Sequence, residues 1–148
     1  MNIFLINADA MVSAHLFARL DAVRARKQLV ECCQLLASVE HAITGASTMK
    51  REDGALYKAA HPHHPITKEM AENWYQWALC YDVALHLAMV YRDHACAATL
   101  RAWSFDDAKI PMPEIERYLI VRRGYNIQYV YTRSHYAAIL RDYLEAKQ

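Results

Sequence analysis

The sequence predicts an all-α protein, a compact single-domain helical bundle over residues 1–148, from three observations. Glycine and proline, the residues that interrupt helices most strongly, number only 3 and 4. Hydrophobic residues make up 55% of the chain, which is ample for a buried core and argues against disorder. Apolar residues also recur at steps of three and four over long stretches, the spacing of one buried helix face.

Two helices are predicted in the first third of the chain, after a short extended or coil lead-in at 2–7. The first covers about 10–20, with Asp9 as its candidate N-cap because a carboxylate there accepts unpaired backbone N–H groups. The second runs from roughly Asp21 to Ile43. Gly45 is expected to end it, since glycine readily takes the left-handed backbone of a C-cap.

The clearest helical pattern begins at Thr67 and runs to about His94, with a continuation through Leu100. Trp74 and Trp77 fall on its apolar stripe and are expected to be core residues rather than stacking groups.

The C-terminal third is predicted to begin with a loop over 104–113 and to end in a helix over about 132–146. The stretch at 127–131 has strand propensity, but a lone strand would have no partner in this fold.

A long loop is expected between the second and third helices, at 46–66, and it carries the most unusual composition in the chain. Residues 56–65 contain three histidines, one lysine and two prolines. Proline restricts its own backbone and that of the preceding residue, so the imidazoles should stand on a stiff, non-helical turn. Stiff connectors with titratable side chains often carry chemistry or recognition. The alternative is a turn whose histidines merely hydrogen-bond the backbone.

A metal site is disfavoured, because zinc requires three or four convergent ligands and one HxHH loop supplies only part of a set. His86 and His94 are eight residues apart, which on one helix would give a shared face but not a shared coordination sphere. The sequence therefore implies no cofactor, although a metal-dependent hydrolase remains a weaker alternative.

The net charge of +1 does not indicate a nucleic-acid binder, so only locally basic surfaces could serve that function. Three basic clusters are present, and their tyrosine neighbours would allow a phosphate-tracking surface if they converged; an ordinary solvated face is the alternative. The clusters are Arg19, Arg24, Arg26 and Lys27; Lys50, Arg51 and Lys58; and Arg122, Arg123 and Arg133.

The four cysteines lie in helical patterns without a CxxC pair, which favours buried, reduced thiols in a cytoplasmic protein. The chain has no apolar run of about 18 residues, so no membrane span is expected.

Two further groups are candidates for chemistry. Glu31 is a carboxylate among apolar neighbours, so it is either salt-bridged to a nearby arginine or tuned as an acid or base. An N-terminal α-amine has a pKa near 7.7–8.0, low enough for a nucleophile at neutral pH.

Four segments together resemble a family of small phage and bacterial proteins described as pyrimidine dimer DNA glycosylases, distantly similar to phage endonuclease V. They are the N-terminal Met-Asn-Ile-Phe, the Glu-x-x-Gln-Leu-Leu element at 31–36, the Leu-Tyr-Lys loop with His61, His64 and Pro65, and the aromatic-rich helix from Trp74. The resemblance covers roughly residues 1–95. The chain differs from the family pattern at His63, where asparagine is expected.

The resemblance implies a DNA-repair N-glycosylase with AP-lyase activity that flips a damaged or modified pyrimidine nucleotide out of double-stranded DNA. An N-terminal amine would attack C1′ and form a Schiff base while a carboxylate assists. The implied catalytic residues are Met1, Asn2, Glu31 and His61. The resemblance also implies that Lys58, His61 and His64 contact phosphate or the flipped nucleotide. With members of the basic clusters, His63 and Tyr75 added, the predicted substrate-binding residues are Arg24, Lys27, Lys58, His63, His64, Tyr75, Arg122 and Arg123. A catalytically diverged module that binds nucleic acid or protein is the alternative function.

Overall fold

Five α-helices follow one another in the part of the chain described by this computed structural model, which comprises residues 3, 10–104, 107, 108 and 110, with Trp74 and Tyr75 as backbone only. They are α1 (Ala10–Leu20), α2 (Ala22–Thr44), α3 (Pro65–Glu72), α4 (Trp74–Val90) and α5 (Ala95–Ala102). The prediction of an all-α fold is confirmed for these residues, which contain helices and one isolated backbone bridge but no strand. The predictions for Asp9 and for the segments after 110 lie outside the described residues.

The two ends of α2 are set by local chemistry. The Asp21 side chain accepts a hydrogen bond of 3.0 Å from the Arg24 backbone nitrogen, so it caps the first turn. At the other end Gly45 has φ +88°, and its N–H donates to the His41 carbonyl at 2.8 Å. This left-handed C-cap confirms the predicted end of the helix.

The prediction of one helix from Thr67 to His94, continuing through Leu100, is wrong: the segment contains three helices. The first break is at Asn73, whose backbone leaves the helical region (φ −131°, ψ 89°) and whose side-chain amide donates to the Glu69 carbonyl at 2.9 Å. The second spans 91–94: Tyr91 ends α4 (φ −107°, ψ 60°), and His94, which is extended (φ −71°, ψ 142°), caps α5. The side chains of Asn73 and His94 hydrogen-bond nearby backbone groups, which competes with helix continuation.

Helix α4 occupies the centre of the bundle and packs against α1, α2, α3 and α5. Trp77 is fully buried, as predicted, and its Nε1 donates to the Leu36 carbonyl of α2 at 3.2 Å. Its ring meets Trp103 edge-on, with centroids 5.8 Å apart. The buried apolar side chains of all five helices form one cluster around this helix. No helix of the described residues is long and apolar enough to cross a bilayer.

Candidate nucleic-acid interface

The histidine-bearing segment between α2 and α3 is attached to the helices at two points. The backbone nitrogen of Ala60 donates to Ser38 Oγ of α2 at 3.0 Å, and Thr67 Oγ1 of α3 donates to the His61 carbonyl at 2.8 Å. Ser38 and Thr67 are both buried. We refer to residues 58–64, which these bonds hold against the bundle, as the histidine loop.

The three imidazoles of the histidine loop have different surroundings. His64 is half-buried and serves as the N-cap of α3, since its Nδ1 accepts from the Ile66 backbone nitrogen at 3.1 Å and Pro65 occupies the first helical turn. His61 and His63 are exposed, and the His61 ring meets that of His64 edge-on at 6.4 Å. The backbone-bonding interpretation therefore applies to His64, whereas His61 and His63 face solvent together with Lys58.

A buried carboxylate supports the start of the connection between α2 and α3. Glu40 is 1% exposed, and it accepts hydrogen bonds from the Thr48 backbone nitrogen at 2.6 Å and from Thr48 Oγ1 at 2.8 Å. Trp103 Nε1 in turn donates to Thr48 Oγ1 at 3.0 Å. Glu40 was not among the predicted site residues, although its position four residues after buried Leu36 is a signal that it faces the core.

Glu31 is part of an ion pair, as one of its two interpretations required, but its partner is a lysine rather than an arginine. Lys27 Nζ lies 3.9 Å from Glu31 Oε1, and the Glu31 side chain remains 19% exposed. Glu31 and Ser38 are seven residues, or two turns, apart and so lie on one face of α2. Glu31 and the point where the histidine loop meets α2 are thus separated by about 10 Å along the helix axis.

The arginines at the start of α2 are exposed and already have partners. Arg24 pairs with Asp21 at 2.7 Å, and the Arg26 guanidinium lies over the Tyr91 ring at 5.2 Å from its centroid. Both observations favour a solvated, locally paired face over a cluster of unpaired cations.

The remaining predicted site residues are only partly described. The backbone of Tyr75 lies in the second position of α4. Met1, Asn2, Arg122 and Arg123 lie outside the described residues, and so does the third basic cluster as a whole. The described part of the site therefore contains Glu31 and Lys27 on α2, with Lys58, His61 and His63 exposed on the histidine loop.

The other histidines do not add to this site. His86 and His94 are not on one helix, which corrects that prediction: His86 lies in α4, where its Nε2 contacts Asp82 Oδ1 at 3.2 Å, while His94 caps α5. No group of three or more His, Cys, Asp or Glu among the described residues is arranged to hold a metal ion. All four cysteines are buried and none forms a disulfide, as predicted.

Comparisons with family models, with curated proteins and with solved structures find no match to this chain.

Proposed function

We propose that this chain binds double-stranded DNA through the histidine loop and the adjacent face of α2, and acts there as an N-glycosylase with AP-lyase activity on a damaged or modified pyrimidine. The observation that carries the proposal is the attachment of the histidine loop to α2 through Ala60 and Ser38, on the face that bears Glu31. This attachment ties a loop with three exposed donors, Lys58, His61 and His63, to α2 about two helical turns from Glu31.

The dimensions of this face suit one DNA strand. The axial separation of about 10 Å between Glu31 and Ser38 corresponds to roughly three nucleotides at 3.4 Å per nucleotide. Cations on the histidine loop would hold phosphates on one side of a flipped nucleotide while Glu31 faces its sugar. A donor already fixed in position loses little conformational entropy on binding.

The proposed chemistry is covalent. The N-terminal amine attacks C1′, and the base departs with the electrons of the glycosidic bond and takes up a proton, for which His61 is the proposed donor. The nitrogen then loses its protons, the C1′–O4′ bond breaks and O4′ takes up a proton, which gives an imine that borohydride reduces. Glu31 would assist by stabilising positive charge on the sugar.

The test is borohydride trapping on duplexes that contain an abasic site or an ultraviolet-damaged pyrimidine. We expect a covalent adduct at the N-terminal amine, with yields reduced at least tenfold in Glu31→Gln and His61→Ala. His41→Ala is the matched control, since His41 is an exposed histidine on α2 away from the Glu31 face. Absence of both adduct and strand cleavage would exclude the enzymatic function.

A second function, a non-catalytic DNA-binding module, is favoured by two observations: Lys27 already pairs with Glu31, and His64 is occupied as a helix cap. Such a module would bind undamaged duplex with salt-dependent affinity that Glu31→Gln leaves unchanged. Failure to bind duplex DNA even at low salt would exclude both functions.

A further inference from the structure

The four cysteines form two pairs that bridge different helices, a feature unrelated to the DNA face. Cys32 and Cys33 are neighbours on α2; Cys32 is within hydrogen-bonding reach of Cys80 on α4, and Cys33 is within reach of Cys96 on α5. Cys80 Sγ also donates to the Cys32 carbonyl at 3.8 Å. Each pair thus brings two thiols from distant parts of the sequence together.

The two pairs differ in their access to solvent. Cys32 and Cys80 are fully buried, so their sulfurs contact only protein. Cys96 is 7% exposed and lines a cleft of about 350 Å³, which also borders Arg51, Tyr57 and Thr99. Cys33 is fully buried behind it. Only the Cys33–Cys96 pair can therefore meet a small molecule from solution.

The surroundings of Cys96 favour its thiolate. A hydrogen bond from the Cys33 thiol lowers the pKa of Cys96 to about 6 against the opposing effect of burial, and the Tyr57 hydroxyl, 3.9 Å from the sulfur, lowers it further, as does His94. The pKa of Cys33 is correspondingly raised well above its ordinary value. At neutral pH the pair consists of one nucleophilic thiolate beside one protonated thiol, the combination found in reactive cysteine pairs.

We propose that Cys96 and Cys33 form a peroxide-oxidisable pair, in which Cys96 reacts in the cleft and Cys33 closes a disulfide between α2 and α5. The Cys96 thiolate attacks one oxygen of hydrogen peroxide, the O–O bond breaks, and hydroxide leaves with the electron pair, giving a sulfenic acid. The Cys33 sulfur then attacks the Cys96 sulfur, the S–O bond breaks, and the leaving hydroxide takes the Cys33 proton and departs as water. The hydroxide from the first step takes up the proton that Cys96 released to solvent on ionising, which gives the second water. In total two thiols lose two electrons and two protons, and one peroxide becomes two waters.

Helices α2 and α5 pack against each other, and each of the two thiols influences the pKa of the other, which places them as neighbours across this contact. A disulfide requires an S–S distance of about 2.0 Å, so both side chains have to turn toward each other as the bond forms. The depth of the Cys96 sulfur favours a small oxidant over a protein disulfide, which would need a more exposed thiol.

The full chain would be treated with equimolar hydrogen peroxide, then denatured, alkylated and mapped by peptide mass. We expect a single Cys33–Cys96 cross-link and two alkylated thiols, Cys32 and Cys80, in place of four. Cys33→Ser should stop at a Cys96 sulfenic acid that dimedone traps. Cys32→Ser is the matched control, because it alters the neighbouring buried cysteine on the same helix, and its oxidation rate should equal that of the wild type.

Three results would overturn the proposal. They are a Cys32–Cys80 cross-link that forms as fast as Cys33–Cys96, the absence of a dimedone adduct in folded Cys33→Ser, and four intact thiols at a peroxide concentration that oxidises free cysteine. The cross-link map is made on the wild-type protein, so it tests the proposal even if circular dichroism shows that a variant is unfolded. Cys33→Ala provides a second variant if Cys33→Ser is unfolded.

Discussion

Ser38 Oγ accepts a hydrogen bond of 3.0 Å from the backbone nitrogen of Ala60, which joins the buried side of α2 to the histidine loop across 22 residues of sequence. A side chain that bonds a loop backbone restricts the loop without contacting any ligand. The exposed imidazoles of His61 and His63 are therefore positioned by a residue that is itself 1% exposed.

Ser38→Ala is expected to weaken DNA binding several-fold while lowering the free energy of unfolding by only about 1 kcal/mol, the usual value of one such hydrogen bond. Fluorescence anisotropy with a labelled duplex and urea denaturation measure the two effects. Ser47→Ala is the control, because Ser47 is also buried and its Oγ accepts from the Met49 backbone nitrogen, near the other end of the same connection. Equal loss of DNA affinity in both variants would contradict a specific role for Ser38.

Because His64 caps α3 whereas His63 is exposed, we expect substitutions of these adjacent histidines to differ in their effects on stability and on DNA binding. His64→Ala removes the acceptor for the Ile66 N–H and is expected to destabilise the protein by about 1 kcal/mol. His63→Ala should change the free energy of unfolding by less than about 0.5 kcal/mol, since His63 is exposed. DNA affinity should show the opposite order, with the larger loss in His63→Ala. A larger stability loss in His63→Ala would refute the assignment.

The buried carboxylate of Glu40 predicts a larger stability effect than either loop variant. Glu40→Gln replaces a charged acceptor of two hydrogen bonds from Thr48 by a neutral amide, and we expect a loss of about 2 kcal/mol because hydrogen bonds to charged groups are the stronger ones. The near-ultraviolet circular dichroism of Trp103 should change with it, since its indole bonds Thr48. Glu52→Gln, at an exposed residue of the same connection, should leave both measurements unchanged.

The pKa of Cys96 predicts the pH dependence of its alkylation. Because only the thiolate reacts, the rate with iodoacetamide should rise with pH and reach half its maximum near pH 6, compared with about 8.5 for an ordinary cysteine. The titratable and charged groups that face Cys96 are Cys33 of α2, Tyr57 of the connection, His94 before α5, and Arg51, Glu52 and Asp53 around the cleft.

Tyr57→Phe removes one hydrogen bond to the Cys96 sulfur and should move the midpoint to higher pH without unfolding the protein. Cys32 and Cys80 should stay unreactive over the same range, because both are fully buried. A Cys96 midpoint at pH 8 or above in the wild type would show that its thiol is not activated.

Local sequence signals predicted parts of the fold well because they act through neighbouring residues. The extent of α1 and α2 followed from apolar spacing, and Gly45 ended α2 because a left-handed C-cap needs no tertiary partner. Apolar spacing also predicted, wrongly, that α3, α4 and α5 are one continuous helix. The apolar spacing continues through Asn73 and His94, so it does not reveal that the backbone leaves the helix there. At these positions the Asn73 amide donates to the Glu69 carbonyl, and His94 Nδ1 accepts from the Cys96 backbone nitrogen.

The candidate site was predicted only as a set of residue types. Glu31, Lys58 and the loop histidines could be named from the sequence, but the predicted arginine partner of Glu31 was wrong, because Lys27 at the i−4 position pairs with it. Ser38 and Glu40, which hold the connection between α2 and α3, have no sequence motif. Their function depends on Ala60 and Thr48, which approach them only after the chain has turned back on α2.

The sequence by itself determined the helical class and the burial of Trp77 and the cysteines, since composition and spacing act over one or two helical turns. Tertiary structure alone decided which thiols face each other, that Cys96 borders a cleft, and that Trp103 reaches Thr48 across 55 residues. Those contacts depend on how α2, α4 and α5 pack together, and packing is set by the shape of the whole core rather than by any short stretch of the chain.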